Sequence, residues 1–151
     1  MPDSVSHKLS EFIAQYLPTA RHMQLSVADY DGGSLTLHAP LAPSINDKQT
    51  AFGGSLYVVA VMACWGAVYL RCVEQGLDPD IVVAKAEIEY LRPVAEDIVA
   101  RSKPTDEAAW AQFFEAFSQR GRGKIELHSE VVVGGQVAAR FKGLYAIVGV
   151  K

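Results

Sequence analysis

The stretch from Ala51 to Leu70, AFGGSLYVVAVMACWGAVYL, runs for 20 residues without a charged side chain. That is the length of a transmembrane helix. A helix that is apolar on all sides can instead form the centre of a soluble domain, wrapped by a sheet. Gly53 and Gly54 fall in its first turn, and no basic cluster marks a cytoplasmic flank, so the buried helix is favoured over the membrane span.

Helix and strand patterns precede this stretch. Residues Ser4 to Leu17 carry apolar side chains at helical spacing, and Pro18 is expected to end that helix. Met23 to Tyr30 and Ser34 to Ala39 alternate between apolar and polar residues, which predicts two strands joined by a tight turn. A polar loop, Pro40 to Thr50, leads from the second strand into the apolar helix.

The C-terminal half is predicted to be mainly sheet. Ile81 to Leu91 alternates clearly, and Ile98 to Ser102 reads as a shorter strand. Thr105 to Ser118 carries four aromatic residues at helical spacing, and Lys124 to Val133 with Gln136 to Val150 reads as a hairpin. We therefore predict one α+β domain over residues 1–151, with a long central apolar helix wrapped by an antiparallel sheet, an N-terminal helix and an additional aromatic helix.

Composition narrows the functional classes. Half of the 151 residues are apolar and 21% are charged, which suits one folded domain and excludes an intrinsically disordered chain. Lysine and arginine number 14 against 17 acidic residues, so the net charge of −3 gives no electrostatic footprint for nucleic acid.

The cysteines and histidines bear on the compartment and on metal binding. Cys64 and Cys72 lie about 12 Å apart along the predicted helix, too far for a disulfide. Two unpaired thiols suit a reducing compartment, and the N-terminus lacks the apolar core of a signal peptide, so we expect a cytoplasmic protein. The four histidines are scattered, with no second histidine or cysteine at ligand spacing, so we expect no metal and no resident cofactor.

The segment from Ser44 to Leu56, SINDKQTAFGGSL, carries the most chemical information. Two glycines where a loop enters a helix allow close approach to the backbone, and the unpaired N–H groups of the first turn point outward at the positive end of the helix dipole. Such a site can bind an oxyanion. The glycines can equally let the helix pack under the sheet, and Asn46 and Asp47 can be turn residues or site residues.

This segment, above all Asn46 followed by the run TAFGGSL from Thr50 to Leu56, resembles the YiiD C-terminal-domain family of hotdog-fold, thioesterase-like proteins. The run YLRP from Tyr90 to Pro93 is similar to a strand motif of many hotdog enzymes. The resemblance implies a hotdog fold that assembles as a homodimer or a dimer of dimers, with its sites at the subunit interface. It also implies thioesters of coenzyme A or acyl carrier protein as substrates, so that 4′-phosphopantetheine or coenzyme A arrives as part of the substrate.

The resemblance also implies which residues form the site. Asn46 and the backbone N–H groups of Gly53 and Gly54 would donate hydrogen bonds to the thioester carbonyl. Four neighbours are predicted to contact the substrate: Asp47, Phe52, Ser55 and Tyr90.

The chain departs from the hydrolase pattern at two positions. Many hotdog thioesterases begin this helix with His-Gly-Gly and carry an acidic residue about two and a half turns later, which serves as base or nucleophile. This chain has Phe52 and Val61 at those positions and no acidic residue from Phe52 to Val73. Hydrolysis needs a group that activates water. The remaining candidates are Asp47, Glu87 and Glu89.

Decarboxylation of a malonyl thioester needs an oxyanion hole and no base, because the departing carbon dioxide leaves an enolate on the thioester oxygen. Members of the family are associated with malonyl-carrier-protein decarboxylation, which supplies acetyl-carrier protein for fatty acid synthesis. We therefore predict a malonyl-acyl carrier protein decarboxylase, with thioester hydrolysis and non-catalytic acyl binding as alternatives. The proton donor to the enolate is left open among Ser55, Asp47 and water.

Charge is unevenly distributed along the chain. From Ser118 to Lys151 there are six basic residues and two acidic ones, so an acidic carrier protein would meet this part of the chain. The alternative is that these side chains are solvated faces of strands. The candidate carrier contacts are Arg120, Arg122, Lys124, Arg140 and Lys142.

Overall fold

A computed structural model describes residues 2–149, and the side chains of residues 5–149. The elements in chain order are α1 (Pro2–Tyr16), α2 (Pro18–His22), β1 (Ser26–Tyr30), β2 (Leu35–Ala39), α3 (Gly53–Glu74), β3 (Asp80–Tyr90), β4 (Ile98–Ser102), α4 (Glu107–Arg120), β5 (Arg122–Val133) and β6 (Gln136–Val148). The predicted α+β architecture is confirmed, and every predicted helix and strand is present with small shifts at its ends. Of the last predicted strand, Val150 lies outside the described residues.

The N-terminal region differs most from the prediction. Pro18 does follow the end of α1, but it also opens α2, where its fixed backbone angle suits the first helical position. The predicted strand from Met23 begins only at Ser26. Residues before it turn the chain, with Gln24 in the left-handed region at φ 60°.

The six strands form one antiparallel sheet in the order β1-β2-β4-β5-β6-β3. Helix α3 lies against its inner face and contacts β2, β3, β4, β5 and β6. Alternate residues of β5, including Ile125, Leu127 and Val131, are buried, and their neighbours are exposed or half-buried. The sheet therefore turns one face to α3 and the other to solvent, as alternation in an antiparallel sheet requires.

Helix α3 is the core of the domain. It is long and apolar enough to cross a membrane by length and composition, yet 56% of its most apolar window is buried within the fold. Cys64 and Cys72 are buried on it as free thiols. Burial raises the pKa of each thiol to about 12, so both stay protonated at neutral pH.

Two hydrogen bonds fix the middle of α3 to the sheet. The buried Ser129 hydroxyl donates to the Ala60 carbonyl over 2.8 Å, and the Tyr145 hydroxyl donates to the Val61 carbonyl over 2.8 Å. Both hydroxyls come from inner-face positions of the sheet, where an unpaired polar group would be costly. Val61 thus stands on a tightly held part of the helix.

A second face of α3 is only partly covered by its own domain. Its residues are apolar and half-buried, at spacings that place them along one side of the helix: Tyr57, Val58, Val61, Met62, Trp65 and Tyr69. Helix α1 covers one end of this face, where the rings of Phe12, Trp65 and Tyr69 meet with centroids 5.2 to 5.5 Å apart. The rest of the face is half-buried among the described residues.

Candidate active site

The loop before α3 is a small hairpin. Ile45 and Ala51 form an isolated antiparallel bridge, and the Asn46 N–H donates to the Thr50 carbonyl over 2.8 Å. Gln49 N–H donates to the Asn46 carbonyl over 3.1 Å, with Gln49 itself in the left-handed region at φ 64°. Asn46 therefore stands at one end of a tight turn that closes directly before the helix.

The Asn46 side chain has a defined orientation within this hairpin. Its Oδ1 accepts hydrogen bonds from Lys48 N–H at 2.9 Å, from Thr50 N–H at 3.1 Å and from Thr50 Oγ1 at 3.2 Å. Its Nδ2 meets no acceptor in residues 5–149. The amide oxygen is thus occupied, and two N–H donors on Nδ2 stay available to a ligand.

The first turn of α3 presents further donors. Phe52 precedes the helix, its N–H donates to the Ser44 carbonyl over 2.8 Å, and no side chain caps the helix start. The Phe52 carbonyl accepts from the N–H groups of Ser55 and Leu56. No described group accepts from the N–H of Gly53 or Gly54, so these two donors lie free at the positive end of the helix dipole.

Aromatic side chains border these donors. The Tyr90 hydroxyl donates to the Gly53 carbonyl over 2.8 Å, which ties the end of β3 to the start of α3. A Cβ built on Gly54 would lie 2.5 Å from the Phe52 ring, so only glycine leaves that ring its present place. Both rings are more than half exposed. Ser55 is buried in the same turn, and its hydroxyl has no partner in the described chain.

No acid or base joins this group of donors. Asp47 is 83% exposed and contacts the Lys48 ammonium at 3.3 Å. Glu87 and Glu89 lie on the outer face of the sheet, where they pair with Lys142 and Arg140. Within the described residues no three histidine, cysteine or acidic side chains stand close enough to hold a metal ion. The site is therefore rich in hydrogen-bond donors and poor in groups that activate water.

The five predicted carrier contacts fall into two sets. Arg140 and Lys142 lie on β6, each 3.6 Å from its glutamate on β3. Arg120, Arg122 and Lys124 are exposed at the end of α4 and the start of β5, and none of them pairs with a described carboxylate. We call this second set the basic cluster. Of the two sets of predicted carrier contacts, only the basic cluster has no carboxylate partner among the described residues.

Sequence reasoning missed two features of the site. Thr50 was not singled out, although a threonine four residues after an asparagine in a polar loop is compatible with a side-chain-closed turn. The second feature is an open groove of about 890 Å³ between α1, α3 and the start of β3, floored by Phe12, Trp65 and Tyr69. Helix α1 is distant from α3 in sequence, so no local pattern indicates this groove.

Comparison with known proteins agrees with this architecture. The model of a family described as "putative thioesterase (yiiD_Cterm)" matches residues 6–149. A protein of unknown function from Chlorobaculum tepidum is 41% identical, with a TM-score of 0.94 over 98% of this chain and 96% of that one. A protein described as a "putative thioesterase" from Shewanella oneidensis is 32% identical, with a TM-score of 0.87 over 97% and 99% of the two chains.

Similarity to a more distant solved structure concerns the fold alone. A thioesterase from Haemophilus influenzae is 14% identical, with a TM-score of 0.73 over 95% of this chain and 90% of that one. The family match spans nearly the whole chain and includes the hairpin, the glycine pair and the sheet. This chain therefore belongs to the YiiD C-terminal-domain family of hotdog-fold, thioesterase-like proteins.

Proposed function

We propose that the chain is an acyl-thioester enzyme that decarboxylates malonyl-acyl carrier protein to acetyl-acyl carrier protein. The observation that carries the proposal is that the site has free hydrogen-bond donors but no general base beside them. Asn46 Nδ2 and the N–H groups of Gly53 and Gly54 have no internal acceptor, and no unpaired carboxylate or imidazole accompanies them in the described site.

The proposed reaction uses these donors directly. The thioester carbonyl oxygen accepts hydrogen bonds from Asn46 and the glycine N–H groups. The bond between the α-carbon and the carboxylate carbon breaks, carbon dioxide leaves, and the electron pair forms an enolate whose charge rests on that oxygen. A proton then reaches the α-carbon, from Ser55, Asp47 or water, to give the acetyl thioester. No general base takes part.

The same site is proposed to be completed by a second copy of the chain. Strand β3 is an edge strand of 11 residues, and it exposes Val82 and Val83 together with its unpaired backbone edge. Exposed edges of this kind are templates for pairing with another strand. The half-buried apolar face of α3 lies beside this edge, so dimerisation through β3 would cover both.

An antiparallel pair of β3 strands would place the start of β3 in one copy beside the end of β3 in its partner. Trp65 Nε1 donates to the Ile81 carbonyl near the start of β3, and Tyr90 contacts Gly53 at its end. Antiparallel pairing sets the start of one strand against the end of the other. The groove of one copy would then lie next to the donor group of its partner, and the paired dimer would hold two such composite sites.

Placing lysines at the β3 edge is expected to weaken the dimer. The double variant Val82→Lys and Val83→Lys puts two positive charges on each copy where the strands would meet, and we expect the dimer dissociation constant to rise at least about tenfold. Sedimentation analysis over a range of concentrations measures this. Glu126→Lys, an exposed change on β5 away from the edge, serves as control, and an unaltered oligomeric state in the double variant would exclude β3 as the interface.

Hydrolysis is the second candidate, and the aromatic groove is the observation that favours it. A groove of about 890 Å³ floored by three aromatic rings exceeds the needs of a malonyl group, and Asp78 in its lining opposes a second negative charge. It suits an uncharged, apolar acyl chain instead. In that case the water-activating group would have to come from the partner copy or from Asp47.

One experiment separates these functions. The purified chain is incubated with malonyl-acyl carrier protein and, separately, with a long-chain acyl-carrier protein, and both are followed by mass spectrometry. Loss of carbon dioxide to leave acetyl-carrier protein supports the proposal. Free carrier thiol from either substrate supports hydrolysis instead. A substrate that binds without forming any product identifies a non-catalytic acyl-binding protein.

Carrier docking on the basic cluster predicts a specific kinetic loss. Reversing Arg120, Arg122 and Lys124 to glutamate is expected to lower kcat/KM for the carrier-bound substrate about tenfold and to flatten its salt dependence. The N-acetylcysteamine thioester, which carries no carrier protein, should react at the unchanged rate. Arg140→Gln with Lys142→Gln is the matched control, because those cations are already paired. Equal salt dependence in both variants would refute docking at the cluster.

A further inference from the structure

We propose that Thr50 is a positioning residue that fixes the amide of Asn46 in the orientation the oxyanion site needs. The inference rests on the proposed function, because it assigns Thr50 a task only if Asn46 Nδ2 donates to the thioester oxygen. Its basis is that three donors converge on one acceptor: Lys48 N–H, Thr50 N–H and the Thr50 hydroxyl all donate to Asn46 Oδ1.

The convergence selects one of the two amide orientations. If the amide of Asn46 rotated by half a turn, Nδ2 would face two backbone N–H donors, which cannot accept a hydrogen bond from it. The oxygen therefore points into the hairpin and Nδ2 points out of it. A catalytic donor must be held in place before the charge develops, because reorganisation during the reaction would cost part of the stabilisation.

Among the three donors, only the hydroxyl belongs to a side chain. The other two are backbone groups that remain after any substitution other than proline. Of the three hydrogen bonds that hold the Asn46 amide, which we call the amide lock, only the one from the Thr50 hydroxyl depends on the side chain at position 50. Thr50 Oγ1 lies 3.2 Å from Asn46 Oδ1 in a half-buried position. This hydrogen bond is the one that a substitution at position 50 removes while the backbone N–H groups continue to donate to Asn46 Oδ1.

The hairpin does not depend on that hydroxyl for its shape. The bridge between Ile45 and Ala51, the bond from Asn46 N–H to the Thr50 carbonyl and the turn bond from Gln49 to Asn46 are all made by backbone groups. Valine has nearly the shape of threonine and keeps each of these bonds. Thr50→Val therefore removes the side-chain hydrogen bond to Asn46 Oδ1 and keeps the backbone conformation of the hairpin.

Kinetics test the inference first. Thr50→Val is expected to lower kcat roughly three- to tenfold, the effect of one hydrogen bond, with KM changed less than about twofold. Thr50→Ser should restore kcat because it returns the hydroxyl. In an Asn46→Ala background, Thr50→Val should have no further effect. An equal loss in that background would show a structural role, and an unchanged kcat in the wild-type background would show that the hydroxyl positions nothing.

A spectroscopic test is independent of turnover. Asn46 is the only asparagine in the chain, so selective ¹⁵N-asparagine labelling gives one side-chain amide signal pair. We expect Thr50→Val to shift or broaden that pair and Thr50→Ser to leave it near its wild-type position. Unaltered amide signals in Thr50→Val would overturn the inference. If the signals change as expected while Asn46→Ala keeps the full rate, the lock exists and it is the proposed oxyanion function that fails.

Discussion

Asn46→Ala is expected to lower the rate of the thioester reaction by 10²- to 10³-fold, on the order of the loss that follows removal of one oxyanion donor. Asn46 Nδ2 lies in the hairpin before α3 and has no acceptor among the described residues. Its removal leaves the two glycine N–H groups, so some stabilisation of the enolate remains. KM should change much less than kcat, because the bond strengthens as charge develops on the oxygen.

The fold should tolerate this change. The Asn46 side chain is only half-buried, and the hairpin is also closed by backbone bonds between Asn46 and Thr50 and by the bridge from Ile45 to Ala51. Circular dichroism and the oligomeric state should match those of the wild-type chain. The rate is therefore expected to fall without unfolding.

Asn46→Asp distinguishes the role of the Asn46 side chain as a hydrogen-bond donor from its role in closing the turn. An aspartate keeps an oxygen at the position of Oδ1, so it can still accept from Lys48 and Thr50. It has no N–H to donate, and its charge repels a developing oxyanion. We expect a loss at least as large as that of Asn46→Ala. Lys48→Ala is the control, because it removes an exposed side chain and keeps the backbone N–H that donates to Asn46. A wild-type rate in either Asn46 variant would reduce Asn46 to a turn residue.

The central helix and the sheet could be predicted because their signals are local. A run of 20 uncharged residues has to be buried, and strict alternation in strands such as Ile81 to Leu91 reports which face meets the core. The first residue of the helix was predicted less accurately. Ala51 forms a bridge with Ile45 and donates to the Val94 carbonyl, so the helix begins at Gly53, where the free donors are.

The rest of the site depends on contacts that sequence spacing does not encode. Composition marked five basic residues as one group, but the register of β3 against β6 places Glu87 beside Lys142 and Glu89 beside Arg140. The aromatic groove likewise requires α1 to lie on α3. Both features follow from long-range pairing, whereas Asn46 and the glycines lie within one short segment.

Gly66→Val is expected to lower the free energy of unfolding by about 3 kcal/mol or more, the upper range for an overpacked core. A Cβ built on Gly66 would lie 2.5 Å from Leu35 Cδ2 and 3.0 Å from Leu9 Cδ2. Both leucines are fully buried, one on β2 and the other on α1, so neither can swing toward solvent. The added side chain must therefore separate α3 from two neighbouring elements. Urea denaturation measures the loss.

A partner substitution tests whether this contact is the cause. Leu35→Ala alone should destabilise the domain by about 2 to 5 kcal/mol, because it leaves a cavity. In Gly66→Val it also removes the methyl group that the new Cβ meets, so the double variant should be more stable than the sum of the two losses by about 1 kcal/mol or more. Strict additivity would mean that Leu35 does not limit the space at Gly66. Gly66→Ala should fall between wild type and Gly66→Val, because its gain in helix propensity of up to about 1 kcal/mol offsets part of the clash.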